Sequence, residues 1–78
     1  MILKLTEFTL LDHCRLGEFQ IEEIKSQINH NIRTINEALS KGHDRYFSTF
    51  ISTYNSELQG MRIICTITGI RFRFEYDE

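Results

Sequence analysis

Six branched apolar residues, Ile21, Ile24, Ile28, Ile32, Ile35 and Leu39, recur three or four positions apart along one uninterrupted segment. At 3.6 residues per turn that spacing puts all of them on one side of a helix, and a stripe so apolar must be buried against another element. The residues between them, Glu22, Glu23, Gln27, His30, Arg33, Thr34, Glu37 and Lys41, fall on the other faces and can stay hydrated. Glu18, Glu22 and Glu23 near the start and Lys41 near the end suit the helix macrodipole, and Gly42 can supply a left-handed terminating residue. The spacing therefore predicts one helix over 18–41. Asn29, Asn31 and Asn36 are poor helix formers, so packing rather than propensity has to hold the segment. Asn31 and Ala38 stand at alternate seam positions of a coiled-coil reading, which favours a helix lying on a sheet instead.

The 78 residues allow one domain, 1–78, and a chain of this size buries only about 60 to 65 per cent of its unfolded surface, so dimerisation would help it. With 41% hydrophobic and 26% charged residues the chain has ordinary globular composition and is expected to fold. A net charge of −2 argues against a general polyanion binder. Cys14 and Cys65 form neither a CxxC pair nor a disulfide framework, which suits a reducing cytoplasm. Lys4 and Glu7 interrupt what would be the apolar core of a signal peptide, and no apolar run reaches the ~18 residues of a membrane span. The expectation is a cytoplasmic protein with no membrane partner.

Residues 2–5 form a short apolar run suited to a first strand, and Phe8, Leu10 and Leu11 continue it beyond the polar pair Thr6-Glu7. Two readings fit: a strand that passes through a bulge, which the β-favouring residues support, or a helical turn capped by Thr6. Residues 12–17 read as a connection, and Gly42-His43-Asp44 as the turn after the helix. From residue 46 the aromatic and β-branched residues alternate, predicting strands over 46–54 and 61–68 with a hairpin loop at 55–60. After Gly69, Ile70/Phe72/Phe74/Tyr76 alternate with Arg71/Arg73/Glu75, the cleanest alternation in the chain. The expected fold class is α+β, one long amphipathic helix on one face of a mostly antiparallel sheet in the order β-α-β-β-β. Its expected core is Met61, Ile63, Cys65, Ile67, Phe72 and Phe74, with Phe47 and Ile51.

One helix covers one face of such a sheet. The other face would carry Tyr46, Phe50 and Tyr54, then Arg62 and Ile64, then Arg71 and Arg73. The opposite register on 46–54, with Phe47 and Ile51 outside, leaves aromatic surface uncovered as well. Aromatic and arginine side chains together mark contact surfaces, so these seven residues are the predicted binding face for another protein. The same residue types can stack on bases and pair with phosphates, which makes single-stranded nucleic acid the alternative ligand. Against it stand the absence of the RNA-binding aromatic motif and the acidic residues Glu75, Asp77 and Glu78 that close the last strand.

No catalytic constellation emerges. Asp12-His13-Cys14 are sequence neighbours, whereas a catalytic Cys and His generally meet through the fold, and Cys65 alternates with apolar residues as a core thiol does. His13, His30 and His43 lack metal-ligand spacing, and no phosphate loop or hydrolase motif is present, so neither metal nor cofactor is expected. The expected order of elements, with Arg71, Arg73 and Tyr76 in the last strand, loosely resembles small bacterial ribonuclease toxins of the RelE type in topology. That resemblance implies RNA cleavage on the ribosome, to which the acidic net charge is unsuited. The leading expectation is a non-enzymatic, homodimeric protein-binding module, a regulator or inhibitor of a partner protein, with an origin in a phage or mobile element suggested by size alone.

Overall fold

The computed structural model describes residues 2–41 and 45–77, the side chains of Arg45, Tyr46, Phe47 and Phe50 excepted. Its elements are β1 (Ile2–Leu10), α1 (Glu18–Ser40), α2 (Arg45–Thr68) and β2 (Ile70–Asp77). The class is α+β with an antiparallel sheet, but the order is β-α-α-β and the sheet has two strands, β1 beside β2.

β1 runs unbroken through Thr6-Glu7 by means of a register shift between Leu5 and Glu7. Leu5 and Phe8 are an odd number of residues apart and would point to opposite faces of a regular strand. One extra residue restores them to the same face, opposite Phe74 and Phe72 of β2. Leu3 and Leu10 continue this face opposite Tyr76 and Ile70, while Lys4, Glu7 and Thr9 stand opposite Glu75, Arg73 and Arg71 on the other. The alternation expected for β2 is the one observed. Leu3, Ile70 and Phe72 are fully buried beneath the helices.

α1 begins where expected. Gly17 is its N-cap, and the Gln20 side chain returns to accept a 2.9 Å hydrogen bond from the Gly17 N–H. It ends one residue early, at Ser40, with Lys41 as C-cap donating to Ala38 O. The predicted turn at 42–44 lies outside the described residues. Ile28, Ile32 and Ile35 are buried as predicted, whereas Ile21, Ile24 and Leu39 are half-buried. Asn31 and Ala38 are buried too.

The strands expected over 46–54 and 61–68 and the loop at 55–60 are replaced by the single helix α2. Ile51, Tyr54, Leu58, Met61 and Cys65 recur at intervals of three and four, a seam that serves α2 as the isoleucine stripe serves α1. Leu58, assigned to a loop by the strand reading, is completely buried. Packing of that seam outweighs the β-preference of the aromatic and β-branched residues. The core changes accordingly: Cys65 and Phe72 are buried, and Ile51, Met61 and Phe74 are half-buried against them. Ile63 and Ile67 are exposed, because residues two apart on a helix face different directions. The side chain of Phe47 lies outside the described residues. The topological resemblance to RelE-type toxins rested on a β-α-β-β-β order that the structure does not have.

Two contacts fix the ends of this arrangement. The Asn36 carboxamide accepts from the Leu3 N–H at 2.7 Å and donates to the Leu3 carbonyl at 3.0 Å, so α1 holds the outer edge of β1 as a neighbouring strand would. At the corner between α2 and β2, Gly69 has φ +105° and its carbonyl accepts from the Leu11 N–H at 2.8 Å. A β-carbon there would come within 2.5 Å of Cys14 Cα, so the approach of the 12–17 connection requires glycine.

Candidate functional site

The predicted binding residues do not form one sheet face. Tyr46, Phe50, Tyr54, Arg62 and Ile64 belong to α2, and Arg71 and Arg73 to the outer face of β2. The side chains of Tyr46 and Phe50 lie outside the described residues. Tyr54 is half-buried against the core, part of the seam rather than of an outer surface. Arg62 and Ile64 lie on different sides of α2 and line two different depressions.

The first depression is an open groove of about 590 Å³ between the N-terminal half of α1 and the C-terminal half of α2. Leu16, Ile24, Met61, Ile64 and Cys65 supply its apolar lining, with Glu23, Ser26, Gln27 and Thr68 as polar lining residues. Burial pushes the Cys65 thiol up, so it is protonated and uncharged at neutral pH. Gln27 donates to the buried Asn31 Oδ1 at 3.1 Å, and Asn31 Nδ2 approaches the Met61 sulfur at 4.0 Å, which ties polar groups of α1 to the seam. Ile63, Ile64 and Ile67 are 63%, 63% and 74% exposed and form a ridge on α2, since neighbours three and four apart share a face. Phe19, at the start of α1, is 76% exposed. Sequence reading assigned Ile63 and Ile67 to the core and gave Phe19 no role; a helical count of 61–68 would have set Ile63 and Ile67 apart from the seam.

The second depression, about 460 Å³, lies between α2 and β2 and brings Arg62 to Arg71 and Arg73, with Thr66, Phe72, Phe74 and Glu75. The two strand arginines are already engaged by one carboxylate: Glu7 is 3.4 Å from Arg71 Nε and 3.3 Å from Arg73 Nε. Beyond them, Lys4 pairs with Asp77 at 2.9 Å and holds that carboxyl below its usual range. All these groups are substantially hydrated, so the pairs add little to stability.

Cys14 and Cys65 are free thiols, and the His13 ring lies 3.3 Å from the Thr66 carbonyl. Among the described residues no group of three His, Cys, Asp or Glu side chains is placed to hold a metal, and no helix is long and apolar enough to cross a membrane. Comparison with protein-family models, with curated proteins and with solved structures found no match to this chain.

Proposed function

We propose that the chain is a protein-binding module, a regulator or inhibitor of a partner protein, and that it takes an amphipathic helix of that partner into the groove between α1 and α2. One observation carries this reading: Ile64, 63% exposed, lines an apolar groove with Leu16, Ile24, Met61 and Cys65, and the exposed Ile67 stands one turn beyond it on α2. Each isoleucine gains roughly 1.5 to 3 kcal/mol when it passes from full exposure to full burial, so this surface holds a substantial unused driving force for association. A groove flanked by two helices accepts a third by the same ridge-and-groove packing. Glu18, Glu22 and Glu23 at the α1 end favour a helix with basic flanks. Free thiols and the lack of a membrane-spanning helix among the described residues are compatible with a cytoplasmic location, which we adopt.

The test is affinity capture from the source cells with the wild-type protein and Ile64→Asp in parallel, each with and without nuclease. The expected result is a near one-to-one protein partner that survives nuclease, is lost with Ile64→Asp, and rebinds in purified form with a change in its own activity. Equal recovery by the variant would remove the groove from consideration. Nuclease-sensitive nucleic acid retained through Arg62, Arg71 and Arg73 would replace this reading with the nucleic-acid one.

A further inference from the structure

Among the described residues the two-stranded sheet leaves the outer edge of β2 without a neighbouring strand. The direction of its backbone groups follows from both ends of the strand. Leu3 spends its N–H and carbonyl on Asn36, so the Leu3/Tyr76 pair does not exchange backbone hydrogen bonds and Tyr76 turns its own groups outward. At the other end the Gly69 carbonyl accepts from Leu11, which directs the odd-numbered positions toward β1. The N–H and carbonyl groups of Phe72, Phe74 and Tyr76 therefore point away from β1 along the free edge, where the cleft lined by Arg62 and Thr66 leaves room beside the strand.

We propose that this edge pairs antiparallel with the β2 of a second copy, about a two-fold axis through Phe74. In that register Phe72 stands opposite the second copy's Tyr76, and Phe74 opposite itself. All three outward-facing positions then form hydrogen-bonded pairs, each exchanging two backbone bonds. The intervening positions put Arg73 opposite Glu75 and Arg71 opposite Asp77, at the non-hydrogen-bonded sites where side chains approach closest. Moving the axis to Arg73 or Glu75 sets like charges face to face, and moving it to Phe72 sets Arg71 opposite Arg73. The centre at Phe74 is the register in which both arginines meet carboxylates. The product is a four-stranded sheet, β1-β2-β2-β1, with all four helices on one face, and it covers the half-buried Phe74 and the partly exposed Tyr76. This contact uses a different surface from the groove and stands or falls independently of it.

The experiment is a charge swap on the full chain, read by sedimentation over a wide concentration range. The wild type is expected to sediment at twice 9.3 kDa. Arg73→Glu places two carboxylates opposite each other and Glu75→Arg two cations, so each variant alone is expected to sediment as a monomer. An equimolar mixture of the two single variants restores opposite charges at both sites and is expected to return to the dimer mass, which also shows that both variants are folded. The double variant R73E/E75R is expected to dimerise alone. Since Arg73 also faces Glu7 and Glu75 faces Lys4 within one chain, the variants are first shown folded by circular dichroism. A wild type that stays monomeric up to about millimolar concentration, single variants that remain dimeric, or a mixture of folded variants that does not reassociate would each overturn the proposal. So would a dimer broken by Ile64→Asp and indifferent to the swap, since association would then run through the groove.

Discussion

The two helices are almost the same length, 23 and 24 residues, yet they finish their surfaces in opposite ways. α1 buries Ile28, Ile32 and Ile35 and turns Glu22, Lys25, Asn29, His30, Arg33 and Glu37 to solvent. α2 buries Leu58 and Cys65 and, in its last two turns, also exposes Ile63, Ile64 and Ile67. A helix that is apolar on one side needs one neighbour; a helix that is apolar on two sides needs a second. Past Phe19, which its first turn leaves exposed, α1 is complete within this chain, and α2 is not. The difference separates the residues that fold the domain from those available for binding.

The contrast between the two helices rests most heavily on Ile28. Ile28→Asp puts a carboxylate into a fully buried position of the α1 stripe, at a cost of roughly 4 kcal/mol or more against a total stability of order 4 to 10 kcal/mol. Circular dichroism should show an unfolded chain, and a folded variant would mean that the stripe is not the core. Gly69→Ala should cost about 2 to 3 kcal/mol by urea titration, because neither the positive φ nor the approach of Cys14 accommodates a β-carbon. Asn36→Ala removes both hydrogen bonds to Leu3 and should cost about 1 kcal/mol. Hydrogen exchange should accelerate at the Leu3 amide; unchanged protection would show that α1 does not hold that edge. The smallest effect is expected from Ile67→Lys, within about 0.5 kcal/mol of the wild type. A loss above 2 kcal/mol at that position would erase the contrast between the helices, since Ile67 would then be part of the folded core.

Two kinds of information in the chain were legible at very different levels. The α1 stripe, its start after Gly17 and the alternation of β2 read directly, because each segment fits one period and conflicts with the other. Segment 46–68 satisfies both periods. Phe47, Thr49, Ile51 and Thr53 alternate like a strand, while Ile51, Tyr54, Leu58, Met61 and Cys65 step like a helix. Local preference for aromatic and β-branched residues in strands favoured the wrong one. The decisive residue is Leu58: the strand reading strands it in a polar loop, and the helix gives it a buried place. The predicted binding face failed for the same reason, since five of its seven residues lie in that segment. Arg62, Arg71 and Arg73 do converge, but on a cleft between a helix and a strand.

By itself the sequence determined an α+β domain with a long amphipathic first helix, a first strand at its start, and a last strand whose charged and apolar residues alternate. These are local patterns, and each is enforced by the burial of one face. Only the tertiary structure decided that the first and last strands pair, that a second helix stands where two strands were expected, and that Ile63, Ile64 and Ile67 remain outside. Those outcomes depend on which apolar faces meet across the chain, and a residue's own neighbours in sequence carry no record of what will cover it.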